Sequence, residues 1–212
     1  MGCQGSASAT RDDREGVMGT EREIRAIAER ARLRLTDDEF AGIVELVNET
    51  GNFAPEAAVV DRFRSGALTP SMLTFFLPRM WRYRLDHSPV PVEVWRAMFE
   101  FAEYTEDMVV RRRRRGTWVA YRGATEANRE GLSWTLDVEQ ARYFARFRQA
   151  PGDRSATVWA TRIPADRVYA RYMDEYEKEL TADVRGLDIR SLEEWHSDEV
   201  PLWRRLSGLT RA

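Results

Sequence analysis

Along residues 20–110 apolar positions return every three or four residues, the spacing that lays a stripe down one face of a helix. Thr20, with Glu23 three places on, forms a capping box for a first helix, and Ile24, Ile27, Ala28 and Ala31 fall on its inner face. Residues 1–19 are polar, small and without period, and read as a disordered tail. Thr36 with Glu39 opens a second helix striped by Phe40, Ile43, Val44 and Val47, with Gly51 as its stop. Pro55 opens a third helix through Phe63, closed near Gly66. Thr69-Pro70 opens a fourth, expected to end at Pro78 because proline has no N–H for the helical ladder. Pro91 opens a fifth, carrying Trp95, Met98, Phe99 and Ala102 at helical spacing. Residues 20–110 are therefore expected to form a helical region.

The pattern changes after Arg111–Arg115. Thr117–Arg122 has strand character, a glycine-containing turn follows, and Gly131-Leu132-Ser133-Trp134-Thr135 is a second short extended segment. Asp137 with Gln140 caps a helix whose apolar face is Val138, Ala141, Phe144 and Ala145. Ala156–Ile163 alternates as a strand does, and Val168–Tyr172 and Leu180–Val184 are further strands. The second half, 115–212, thus reads as an α+β domain appended to the helices. No internal repeat is visible.

Composition narrows the chemistry. The formal charge of −2 argues against nucleic-acid binding over the whole surface and leaves local basic patches open. Of 33 basic residues only Lys178 is a lysine, which codon bias explains most simply. One cysteine, Cys3, allows no internal disulfide and no multi-cysteine metal site, and two histidines, His87 and His196, make a histidine-rich metal centre unexpected. No apolar run approaches the ~20 residues of a membrane span, and no apolar stretch of a signal peptide follows the N-terminus. The opening Met-Gly-Cys-Gln-Gly-Ser fits a myristoylation pattern at Gly2 and Ser6, but the composition suggests a bacterial or phage gene, where that modification is not expected. Action inside a cell, such as a host cytoplasm, is the expectation.

Three short motifs in the second half stand in an informative order: Tyr121-Arg122-Gly123, then Ser133-Trp134-Thr135 before a helix, then Glu177-Lys178-Glu179 entering an apolar strand. Together, over roughly residues 115–190, they resemble the Arg–Ser–Glu class of ADP-ribosyltransferases and small phage and bacterial proteins of that kind. The resemblance implies a split β-sheet domain, NAD as the substrate, and transfer of ADP-ribose to a macromolecular acceptor, as in a toxin or phage effector. Arg122 offers a permanently charged fork for a phosphate or ribose oxygen. In the family the backbone at Gly123 grips the nicotinamide amide, Ser133 and Thr135 order the site, and an aromatic at the place of Phe144 stacks near nicotinamide. Glu179 is the catalytic candidate the resemblance implies: a carboxylate beside the ribose 2′-hydroxyl would stabilise the positive charge that builds as nicotinamide leaves, a state similar to that of glycoside cleavage. In the family the position of Glu177 orients the acceptor or takes its proton. Neither histidine lies near a matching motif, which separates the chain from the histidine-containing sister class.

Bland readings stand beside these. Arg122 also fits an edge-strand arginine, Gly123 a turn, Thr135 a helix start, Phe144 a core position, and Asp174–Glu179 a solvated turn. Trp134, between the two hydroxyls, points the other way and reads as core. Glu175-Tyr176-Glu177 offers a second register for the acidic motif. Arg111–Arg115, expected at the C-terminal end of a helix where cations suit the dipole, either face solvent or dock a macromolecule. Two other functions remain open: a non-catalytic binding module on the same fold, and an NAD glycohydrolase with water as acceptor.

Overall fold

The structure, a computed structural model, describes residues 11–51, 53, 55–83, 88–147, 155–173 and 178–199. The chain divides into two units, one of residues 1–89 with 101–103 and the other of residues 90–100 with 104–212. No helix among the described residues is long and apolar enough to cross a membrane.

The first unit holds four helices: α1 (Arg11–Ala31), α2 (Asp37–Thr50), α3 (Glu56–Arg64) and α4 (Pro70–Tyr83). α1 begins before Thr20, where the capping motif set its start. Gly16 and Gly19 lower helix propensity by about 1 kcal/mol each without forbidding helical backbone. The part of the expected tail before Arg11, with Gly2, Cys3 and Ser6, lies outside the described residues, as does His87. α2 is capped as its sequence demands: the Glu39 N–H donates to Thr36 Oγ1, the Thr36 N–H donates to the Glu39 carboxylate, and Gly51 closes the helix at φ 61°. α4 runs through Pro78 instead of ending there. The proline forfeits one ladder bond, worth about 3 kcal/mol with its steric cost. Met72, Leu73, Phe75, Phe76, Leu77, Met80 and Trp81 are all buried around it, at roughly 1.5–3 kcal/mol each. Arg79 Nη1 also donates to Phe75 O at 2.7 Å, beside the break.

The second unit is mixed α/β around one sheet. Its elements are α5 (Val92–Phe101), β1 (Thr105–Glu106), β2 (Val109–Val110), β3 (Thr117–Ala124), β4 (Ser133–Thr135), α6 (Val138–Phe147), β5 (Thr157–Pro164), β6 (Val168–Met173), β7 (Lys178–Ala182), β8 (Arg190–Ser191) and α7 (Leu192–Glu199). The strand order is β2-β1-β6-β7-β4-β3-β5-β8, antiparallel throughout except where β1 runs parallel to β6. These eight strands hydrogen-bond as a single sheet, whereas a split pair of sheets was expected.

The expected helical region of 20–110 also ends too late. Residues 90–100, and with them α5 up to Glu100, go with the sheet, where Phe99 stacks on Tyr169 of β6 and Glu100 accepts from the Tyr169 hydroxyl. β1 and β2 form a tight hairpin within the same stretch, its turn made by Asp107 and Met108 at φ 51° and 62°. Such primed turns favour Asn-Gly, and Asp-Met carries no such signal. Arg111–Arg115 consequently follow a strand, not a helix. β8 and α7 had no periodic signature long enough to read.

Strand alternation gives the sheet two faces. On one, Ala120 and Ala124 of β3, Trp134 of β4, Trp159 and Ile163 of β5, and Leu180 of β7 form the main core, covered in part by Leu136, Leu187 and Ile189. On the other, α6 seats Ala141 and Ala145 against Val158 and Tyr121.

Candidate active site

Register decides which of the motif residues meet. Thr135 of β4 lies directly across from Tyr121 of β3 on one side and Glu179 of β7 on the other, and Glu179 pairs in turn with Tyr172 of β6. Residues directly opposite in an antiparallel pair share a face, with Cβ atoms about 4.5–5.5 Å apart. One row on the α6 face therefore reads Tyr172, Glu179, Thr135, Tyr121. The next row contains Thr181 opposite Ser133, and alternation along β3 puts Gly123 on the same face as Tyr121. Ser133 is thus the diagonal neighbour of Glu179, about 7–8 Å away.

Glu179 and Ser133 are half-buried and reach solvent, while Thr135, Thr181 and Tyr172 are buried. The result is an accessible carboxylate and hydroxyl set among buried polar side chains. Thr135 Oγ1 accepts from the Asp137 N–H at 3.0 Å, tying the strand to the start of α6. Asp137 in turn accepts from the Glu139 N–H at 2.9 Å. That bond, with help from Lys178 at 3.5 Å, holds the Asp137 carboxyl below its usual range. Both readings of Thr135, helix start and site residue, are compatible with this geometry. Thr181 Oγ1 is buried with no hydrogen-bond partner among the described residues. Its place could be read from Glu179 by simple alternation, as could that of Tyr121 from Gly123, and neither was given a role from the sequence.

Arg122 faces the other way. It pairs with Trp159 of β5 on the core face. Its guanidinium donates from Nη1 to Ser133 O at 2.6 Å and from Nε to Asn128 O at 3.0 Å. Gly131 makes room for it: a Cβ there would lie 2.4 Å from Nη2. The fork thus clamps the loop before β4 and fixes the strand that carries Ser133, but it is not on the face that presents Glu179. Trp134 lies on that core face too, 1% exposed, its indole N–H donating to Gly131 O at 2.8 Å.

Gly123 is on the Glu179 face, but α6 lies directly on it. A Cβ would meet Ala141 O at 2.1 Å and Ala145 N at 2.4 Å. The glycine is required by helix–sheet packing, and its backbone on this face is covered by protein. Phe144 is on α6, half-buried, with its ring 5.8 Å from that of the exposed Tyr143 in an edge contact. Glu177, with the alternative Glu175, lies outside the described residues.

Two charged clusters escaped the sequence reading because their members are far apart along the chain. Asp183 is buried among arginines: Arg185 Nε donates to it at 2.9 Å, Arg167 Nη1 at 3.1 Å, and Arg96 Nε approaches to 3.8 Å. Burial opposes its charge, but the Arg185 hydrogen bonds prevail and lower its pKa. At the other cluster Glu106 accepts from Tyr104 Oη at 2.8 Å, Arg171 Nη1 at 2.9 Å and Arg114 Nε at 3.2 Å. There too burial is outweighed by the donors and the carboxyl is held low. Arg171 lies under Trp118 at 4.4 Å from the ring centroid. Among the described residues no group of three or more His, Cys, Asp or Glu side chains is placed to hold a metal ion.

Comparison with protein-family models, with curated proteins and with solved structures found no match to this chain, so the arrangement of Ser133, Thr135 and Glu179 has to be interpreted from its own chemistry.

Proposed function

We propose that the sheet-bearing unit binds NAD and cleaves its bond between ribose and nicotinamide, passing ADP-ribose to a macromolecular acceptor. One observation carries the reading. Two motifs 44 residues apart or more, the hydroxyls of β4 and the carboxylate of β7, meet in adjacent strands on one face, with Glu179 directly across from Thr135. Glu179 and Ser133 remain open to solvent there.

In this mechanism the electron pair of the glycosidic bond leaves with the cationic nicotinamide, which becomes neutral. The ribose carbon is left with oxocarbenium character, and the Glu179 carboxylate beside the 2′-hydroxyl stabilises that charge as it develops. Nicotinamide needs no general acid, so a single accessible carboxylate suffices. The acceptor then attacks the ribose carbon, with inversion if the attack is direct, and gives its proton to a base. Glu177 is the candidate for that base. Ser133 and Thr135 orient the carboxylate and the ribose. The role of Arg122 differs from the resemblance: its bonds to Ser133 O and Asn128 O make it the residue that positions β4, not the one that holds the diphosphate.

That same use of Arg122, with the cover of α6 over Gly123, favours a second reading. In it the unit keeps the architecture and binds a ligand or partner without consuming NAD. Nicotinamide release by the purified protein, with and without an acceptor lysate, distinguishes the two. Release abolished in Glu179→Ala establishes the enzyme, and labelled acceptor separates transfer from hydrolysis. NAD bound but not consumed by the wild type leaves the binding module, and neither binding nor release removes NAD from the account.

A further inference from the structure

The five arginines between β2 and β3 are all exposed, their backbone is pinned at both ends, and two of their side chains tie down the middle. At the start the Arg111 N–H donates to Tyr104 O at 3.2 Å, and at the end Gly116 O accepts from the Ala165 N–H at 2.9 Å. Between them Arg113 Nη1 donates to Asp166 O at 3.0 Å, and Arg114 pairs with Glu106. The run is therefore presented by the fold on irregular backbone, not carried on a helix end.

Its charge is poorly compensated. No acidic residue occurs in residues 108–125. Glu106, the carboxylate that reaches the run, is shared with Arg171 and the Tyr104 hydroxyl. Asp107 is turned to the Met173 N–H, and exposed Asp166 meets the run through its carbonyl. Arg167 nearby pairs with Asp183. Among the described residues, Arg111, Arg112 and Arg115 have no carboxylate at ion-pair distance.

We infer that Arg111–Arg115 form a binding surface for the phosphodiester backbone of single-stranded nucleic acid. Guanidinium forks bind phosphate oxygens in pairs and stay charged at any physiological pH. A five-residue run reaches at most about 18 Å, a single line of cations. It sits on neither a helix nor a free β-ribbon, the elements that enter a duplex groove. A flexible strand can lay successive phosphates along such a line. The contacts that hold the run involve none of Ser133, Thr135 and Glu179, and the inference stands whether or not NAD is cleaved.

The test is fluorescence anisotropy with a labelled deoxythymidine oligomer of about twenty nucleotides, titrated with the full chain as salt rises from about 50 to 200 mM. Binding is expected with a Kd on the order of 10⁻⁵ M at the low-salt end and a negative salt slope. Replacing Arg111, Arg112 and Arg115 by Gln removes three contacts. It should weaken binding by about tenfold or more and flatten the slope by about 2, at roughly 0.7 per phosphate on a single strand. The same charge change at the exposed Arg22, Arg30 and Arg34, which are interleaved with Glu21, Glu23 and Glu29, should leave both nearly unchanged. Since the three target arginines are exposed, melting temperature checks that the variant folds. No binding by the wild type, an equal effect of the control triple, or tighter binding to duplex DNA or to phosphatidylserine vesicles overturns the inference.

Discussion

Replacing Gly123 by Ala tests how α6 is seated over the candidate site. The added methyl carbon would lie 2.1 Å from Ala141 O and 2.4 Å from Ala145 N, about 1 Å short of a tolerable contact. Both neighbours are helix backbone, so no side chain can rotate away and the whole helix has to lift. Lifting it opens the small cluster of Ala141, Ala145, Val158 and Tyr121. Overpacking of this kind costs about 1–3 kcal/mol, and the rigid neighbours put the expected value near the top, about 3 kcal/mol. Gly123 is absent from the positive-φ glycines, so alanine is otherwise allowed there and returns about 0.4–1 kcal/mol through the unfolded chain. The net expectation is a loss of about 2 kcal/mol. For a chain of this size that lowers the melting temperature by roughly 4–8 °C, measured by circular dichroism against wild type. Gly42→Ala is the control, because within 4 Å its methyl meets only the flexible end of Met72. An unchanged or raised melting temperature for Gly123→Ala would refute the argument and return Gly123 to the ligand-facing role that its motif suggested.

Other outcomes follow from the same geometry. Glu179→Ala should abolish nicotinamide release while shifting the melting temperature by under about 2 °C, since the side chain is half-buried at a strand surface and not in the core; release at the wild-type rate would sink its role. Arg122→Ala should cost about 2 kcal/mol in urea unfolding, because two main-chain carbonyls lose charged donors. If it instead weakened NAD binding at unchanged stability, its assignment as a positioning residue would be wrong. Asp183 and Glu106 both have folded pKa values below their ordinary 3.8 and 4.5. Their contribution is therefore present in full above about pH 5 and is lost as pH falls through those values towards the folded ones. Melting temperature should drop with acid in that window, and the slope should be shallower in Asp183→Asn; equal slopes would exclude Asp183 as a source.

The sequence by itself determined the local elements. Thr36, Glu39 and Gly51 fixed α2 because caps act within a few residues of chain, and the strand pattern placed β3, β5 and β6 within two residues of their ends. It also put Trp134 on the face away from Ser133 and Thr135, since parity along a strand needs no tertiary information. Where burial could override a local rule, the sequence misled: Pro78 continues a helix whose apolar contacts outweigh one lost bond. Only the tertiary structure decided which distant segments meet. It joined β4 to β7 so that Thr135 faces Glu179, assigned α5 to the sheet, and set the arginine run after a hairpin whose Asp107-Met108 turn has no sequence signature. It also separated residues that are adjacent in the chain: Arg122 and Gly123 belong to one motif, but a strand sends neighbours to opposite faces. Register and helix placement, which depend on pairings tens of residues apart, then gave the arginine a loop to clamp and the glycine a helix to admit.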